Sequence, residues 1–283
     1  MRKIRGRWFH IAHEPFSPPH YACGLMFCAM NRSARNTAMH DTLVGCAGWS
    51  LSSAHAAAFG NGASALQRYA TRLSVVEINS SFYRPHRAAT YARWASVVPA
   101  GFRFSVKFPQ TISHQLRLSG AAPLLDPFLE AAQQLGGKLG ALLLQLPPSL
   151  AYDGRVASSF LRALRRRTTA RMACEPRHAS WFSEAADAML RTHDVARVAA
   201  NPARFPLAAW PGGTRSWSYW RWHGQPRMYY GRYGEPALRK LAGDLAERDA
   251  SGEAWMIFDN TADGSAVPDA LCLQALLREK PDA

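Results

Sequence analysis

The feature of this sequence that most limits its fold is a repeating unit. Eight short runs of strand-like composition recur along the chain, and Ala-, Leu- and Arg-rich stretches with helical spacing separate most of them. The runs are VGCAGW (44–49), VVEINSSFY (75–83), FRFSVKF (102–108), GALLLQLP (140–147), RMACEP (171–176), ARVAAN (196–201), SYWRWHG (218–224) and EAWMIFDN (253–260). Their apolar, β-branched and aromatic content closed by Pro, Gly or Asn predicts strands. Helices are predicted over 63–73, 88–98, 124–139, 153–167, 183–193 and 235–250, with Asp153 as an N-cap and Pro236 in a first turn. Only 202–217 reads as a long irregular loop. Eight strands alternating with helices over roughly 240 residues predict an α/β fold, a single-domain (β/α)8 TIM-type barrel over 43–280. A doubly wound sheet is the rival. It normally opens with a Gly-rich phosphate loop after its first strand, and GCAGWS lacks the third glycine and the helix start.

Alternate residues of a barrel strand point inward, and sites form where the strand C-terminal ends meet the following loops. By that parity Glu77 and Asn79 share a face, as do Arg103, Ser105 and Lys107, Glu175 and Arg177, and Arg221 and His223; Gln145, Asp259 and Asn260 close their own strands. Buried charges are costly unless paired, so Glu77 and Glu175 are expected to meet Lys107, Arg177 or Arg221. The expected catalytic groups are Glu77, Lys107, Glu175, His178 and His223, moving protons. Trp49, Asn79, Tyr83, His114, Gln145, Arg177, Trp181, Arg221 and Asn260 are the expected substrate contacts. The structural counterpart of each reading is plain: a polar layer that plugs the barrel, a His178 that caps a turn, and aromatics that merely pack the rim. No metal-binding spacing such as H-E-x-x-H occurs, so no cofactor is predicted; Mg2+ on Glu77, Glu175 and Asp259 is weakly supported because cations already lie among them. Nor does the chain contain G-x-x-x-x-G-K-[ST] or G-x-S-x-G.

The formal charge is +14, from 34 basic and 20 acidic residues, and favours an anionic partner. The expected partner is a small anionic ligand or substrate; nucleic acid is the alternative. The oligomeric state is not readable. The five cysteines form no C-x-x-C pair and predict free thiols in a cytoplasmic protein, and no apolar run approaches the ~20 residues that span a membrane. Residues 1–42 hold six basic residues and two acids, make a poor signal peptide, and read as a disordered extension or a misplaced start, with Met26, Met30 and Met39 as other starts.

GCAGWS, VVEINSSFYRPH, FRFSVKFPQTISH, GGKLGALLLQLPPSL, CEPRHASW, YWRWHG and FDNTADGSAVPDA resemble, in order, the blocks of the YecE-like family, domain of unknown function seventy-two. The resemblance covers about residues 43–277 and implies a (β/α)8 barrel but no reaction. It implicates most of the residues above, with Gly224 besides. The chain departs from the family pattern at Cys46, Ala47, Asn201, Asp259 and Asp269. The expected activity is therefore acid–base chemistry of hydrolase or isomerase type on an anionic, phosphorylated or carboxylated substrate. A nucleic-acid-associated or non-catalytic anion-binding barrel is the alternative.

Overall fold

A computed structural model describes residues 42–247 and 252–279, so the N-terminal extension lies outside the described residues. Ten strands occur among those residues: β1 Thr42–Cys46, β2 Val75–Ile78, β3 Arg103–Lys107, β4 Leu139–Gln145, β5 Arg171–Glu175, β6 Val195–Arg197, β7 Ala199–Asn201, β8 Gly212–Gly213, β9 Ser218–Trp222 and β10 Ala254–Phe258. The helices are α1 Ser53–Ala56, α2 Ala65–Tyr69, α3 Ala88–Ser96, α4 Ala122–Ala132, α5 Gly154–Arg165, α6 Glu184–Thr192, α7 Glu235–Glu247 and α8 Ala266–Leu276.

The strand order is β7-β9-β10-β1-β2-β3-β4-β5-β6-β8. Its two ends are nearly consecutive chain. β6 pairs with β5 and β7 with β9, both in parallel, and Val198 alone separates β6 from β7. The Val198 N–H still donates to Cys174 O at 2.8 Å. The predicted sixth strand is thus one stave kinked at Val198, and it closes the sheet into a TIM-type barrel of eight parallel staves. The two-residue β8 is the exception: it lies antiparallel on β6, inside the stretch 202–217 expected to be all loop.

Helix α5 shows how the sequence builds the outer layer. Asp153 Oδ1 accepts from the Arg155 and Val156 N–H groups, satisfying donors that a helix start leaves free. Ala157, Phe160, Leu161 and Leu164 then bury one face, while Arg155 stays exposed on another. Helix α8 had no counterpart in the sequence reading. Ala266, Val267, Asp269, Ala270, Leu273 and Leu276 bury it on several sides, so it shows little amphipathic period.

Strand parity splits the core in two. Val44, Cys46, Val76, Ile78, Phe104, Val106, Leu142, Leu144, Met172, Cys174, Met256 and Phe258 face the helices. Val75, Ala141, Leu143, Ala173, Ala196, Tyr219, Trp255 and Ile257 fill the barrel. At the strand N-terminal end Trp217 and Trp255 meet edge to face, and the Trp255 indole N–H donates to Glu253 Oε2. A Cβ at Gly140 would stand 2.4 Å from that indole, so the position requires glycine. With this end closed by indoles, the polar residues of the staves gather at the other. No helix among the described residues is long and apolar enough to cross a membrane.

Candidate functional site

Arg221 organises the strand C-terminal ends. It is fully buried, and its guanidinium meets three carboxylates contributed by three other strands or their ends. Nε and Nη2 form a fork on Glu77 at 2.9 and 2.7 Å, Nη1 donates to Glu175 Oε2, and Nη2 also reaches Asp259 Oδ2 at 2.9 Å. One cation cannot offset three buried anions, and the surplus is met by neighbours. His223 lies between two of them, Nδ1 3.0 Å from Asp259 Oδ2 and Nε2 3.1 Å from Glu175 Oε1. Arg177 Nε donates to Glu175 Oε1 at 3.0 Å. Lys107 Nζ donates to Asn79 Oδ1 at 2.9 Å, and Asn79 Nδ2 donates to Asp259 Oδ1 at 3.4 Å. Gln145 Nε2 donates to Glu175 Oε2 at 3.0 Å, and the Tyr219 hydroxyl stands 3.0 Å from Glu77 Oε2 and 2.9 Å from Ser105 Oγ.

This network sets the protonation states. Burial alone would raise the Glu175 carboxyl, but Arg221, His223 and Arg177 hold it well below the usual carboxylate range. Asp259 is lowered despite burial, by Arg221 and His223. Burial opposes the charged ring of His223, yet Glu175 and Asp259 raise its pKa. Both ring nitrogens can donate to these carboxylates only as the imidazolium. Burial and then Arg221 push the Lys107 ammonium down to about 8, against the pull of Glu77, Asp259 and Glu175.

A small cavity of about 20 Å³ adjoins the network, walled by Glu175, Pro176, Arg177, Arg204, His223 and Met228 among others. That volume holds about one water. Arg177 helps wall it; its buried Nη2 makes no hydrogen bond of good geometry, and Tyr229 stands near enough to interact with the guanidinium. A larger cavity of about 510 Å³ lies apart, between the starts of α4 and α5, walled by Leu118, Ala121, Asp153, Val156 and Phe160. Its one carboxylate is occupied in capping α5, so chemistry points to the smaller cavity although size points to the larger.

The residues singled out from the sequence divide into three groups. Glu77, Asn79, Lys107, Gln145, Glu175, Arg177, Arg221 and His223 come together in the network. His114 stands nearby, edge-on to Phe82 and hydrogen-bonded to Ser113; burial, Lys107 and Arg177 lower its pKa. Tyr83 is 70% exposed on the rim. The others do not line the network. His178 Nδ1 accepts from the Ser180 N–H and caps the turn Ala179–Phe182. Trp181 is buried against Tyr152 with its N–H on Leu150 O, because its ring fills the gap between two loops. Trp49 packs edge-on against Trp94 of α3. Asn260 donates to Gly231 O and to Asp269 Oδ2, which anchors the loop after β9. Asp269 also accepts from the Tyr233 N–H.

Tyr219, Arg204 and Tyr229 were not singled out. Tyr219 shares parity with Arg221 and was findable on that ground. Arg204 lies in the irregular stretch, which has no period to read. Tyr229 sits at φ 72°, its N–H bonded to His223 O and its ring edge-on to His223 at 6.1 Å. Among the described residues no three His, Cys, Asp or Glu side chains are arranged to hold a metal ion. The three carboxylates considered for Mg2+ all turn oxygens toward Arg221 instead.

A family model described as protein of unknown function DUF72 matches residues 43–283. The chain belongs to the DUF72 family. Over 86 residues it is 36% identical to the UPF0759 protein YecE of Escherichia coli K12, a match covering 30% of this chain and 32% of that relative. A DUF72 family protein from Thermotoga maritima superposes with a TM-score of 0.71 at 24% identity, covering 85% of this chain and all of the other. One from Enterococcus faecalis gives 0.70 at 21% identity, covering 85% of this chain and 97% of the other. These structural likenesses establish the shared fold.

Proposed function

We propose that the network at the strand C-terminal ends is the active site of an enzyme that moves protons on a small anionic substrate, in a reaction of hydrolase or isomerase type. One observation carries this reading: Arg177, whose buried Nη2 makes no hydrogen bond of good geometry, and His223 wall the same cavity. A buried donor left unmade costs ~1–3 kcal/mol, and an anionic ligand would satisfy it. Arg177, with Arg204 in the same cavity wall, seats the anion. His223 is the proton donor, kept charged near neutral pH by Glu175 and Asp259. The two carboxylates are poor bases because Arg221 holds them ionised; their work is to fix the ring and its charge. Gln145 orients Glu175, and Lys107 adds a positive charge that weakens as pH passes about 8.

Soaking crystals in inorganic phosphate tests the seat. Density within hydrogen-bond reach of Arg177 Nη2, absent from folded Arg177→Ala crystals, is the expected result. Phosphate bound only elsewhere overturns the reading. A non-catalytic anion-binding barrel is the second reading, favoured by the small cavity. Under it, Glu175→Gln leaves phosphate seated, and no substrate in a panel of phosphate and carboxylate esters turns over faster than with the Arg177→Ala protein.

A further inference from the structure

The loops that follow the eight staves show a sharp compositional bias. Loops 47–64, 79–87, 108–121, 146–153, 176–183, 202–211, 223–234 and 259–265 together contain seven arginines, no lysine and three acids. Seven arginines against three acids leave these loops a formal excess of four positive charges. Asp153 Oδ1 caps α5, Asp259 belongs to the buried network, and Asp263 accepts from the Gly231 and Ser265 N–H groups. Because every one of these loops leaves a strand C-terminal end, their cations share one mouth of the barrel.

All but Arg177 of those cations are exposed. Arg84, Arg87, Arg204 and Arg227 lie on the surface, and Arg227 stacks on the Tyr230 ring at 3.9 Å. At the opposite end several basic side chains are engaged: Arg165 donates to three carbonyls, Arg167 pairs with Asp126, Arg171 with Glu253, and Lys138 donates to Ala95 O and Val98 O, while Arg166 and Arg215 are exposed. The rim also carries exposed aromatic faces, Tyr83 at 70% and Tyr229 at 39%. The first adjoins Arg84; the second is held over His223 by its own backbone and stands close to Arg177.

We infer that the mouth binds a single-stranded polynucleotide, its phosphates on the rim arginines and its bases on Tyr83 and Tyr229. The inference goes beyond the proposed function and rests on it only for the cavity, at whose mouth a phosphate oxygen of the strand would meet Arg177. The planar guanidinium fork of arginine can donate two parallel hydrogen bonds to a pair of phosphate oxygens or to a base edge, which lysine cannot. A cavity that holds about one water cannot admit a whole nucleotide, so recognition falls to the surrounding rim. Unpaired bases are needed because a tyrosine ring can stack only on a base that leaves its own stack. A phosphopeptide offers no train of π-faces, and a lipid surface offers none at all.

Fluorescence anisotropy with the full chain tests this, using labelled oligothymidylate and oligouridylate of about 15 nucleotides, near the site size of such grooves. A duplex of equal length and vesicles containing phosphatidylserine serve as comparisons. Single strands should bind more tightly than duplex. Log affinity should fall with log salt by about 0.7 per phosphate contacted, so Arg84→Ala/Arg87→Ala/Arg227→Ala should flatten the slope by roughly 2. Tyr229→Ala and Tyr83→Ala should each weaken binding by about tenfold, and Arg166→Ala/Arg215→Ala at the other end should change nothing. The DNA and RNA arms identify the sugar. Duplex binding at least as tight, vesicle binding without oligonucleotide binding, or a triple variant that binds like the parent overturns the inference. Arg177→Ala separates the two proposals: it empties the phosphate site while leaving most oligonucleotide affinity, and the triple variant does the reverse.

Discussion

Arg221 and His223 stand two residues apart on one inward face and answer two halves of one electrostatic problem. Arg221 gathers three carboxylates that burial would otherwise force to protonate, and His223 takes up charge that Arg221 leaves. Arg221→Met leaves Glu77, Glu175 and Asp259 buried without their cation. Removing one partner of such a cluster costs ~3–5 kcal/mol, so the urea midpoint should fall steeply. The pH dependence follows from the shifts. His223 is raised in the fold, so its contribution is full below its ordinary 6.5 and disappears as pH climbs through the higher folded value. Glu175 and Asp259 are lowered, so theirs is full above the ordinary carboxylate range and lost on acidification through the folded values. Lys107 works in the sense opposite to His223: charged, it costs stability below about 8, and that cost is relieved between about 8 and 10.5. Urea midpoints across pH should show His223→Gln flattening the decline that starts near 6.5. Phosphate affinity should drop as pH passes about 8, and Lys107→Gln should remove that drop. At this scale strand parity was informative, because two-residue alternation places Glu77, Lys107, Glu175, Arg221 and His223 inward together. It failed one step past the strands. Trp181 and Asn260 look like rim ligands by position, but loop paths turn them toward Leu150 O and Gly231 O.

Elements reveal a different balance of legible and hidden. The eight staves could be read from composition, since each is buried on one face by helices and on the other by the barrel interior. The break at Val198 could not, because ARVAAN has the pattern of an unbroken strand and only the closing geometry divides its partners between β5 and β9. Helix α8 was hidden because its buried residues lie on several sides and leave little amphipathic period. Where an element obeys a local rule, its stability is predictable: Asp153→Ala should cost about 1 kcal/mol through two lost bonds to the start of α5, read as a lower thermal midpoint. Gly140→Ala belongs to packing between elements. Its methyl would meet the Trp255 ring, at a cost of ~1–3 kcal/mol, and a Trp255→Leu background should absorb most of that cost in a double-mutant cycle.

The whole barrel separates its two ends by chemistry. Indoles fill the strand N-terminal end, and charge that no single stave could bury alone collects at the other, where three carboxylates, two arginines, a lysine and a histidine satisfy one another. The sequence pointed to this end because its polar strand positions share parity; the size of the cavity was beyond it, since that depends on loops after β7 and β9 with no period of their own. A protein whose barrel is held by this network should lose secondary and tertiary structure together in acid, with circular dichroism in the near and far ultraviolet following one curve. The most direct test of the network itself is the charge on His223. In a protein labelled with nitrogen-15 on histidine, its two ring nitrogens should both resonate as protonated at pH 7.5, where a free imidazole is mostly neutral. A spectrum in which one of them resonates as an unprotonated imidazole nitrogen would contradict the account.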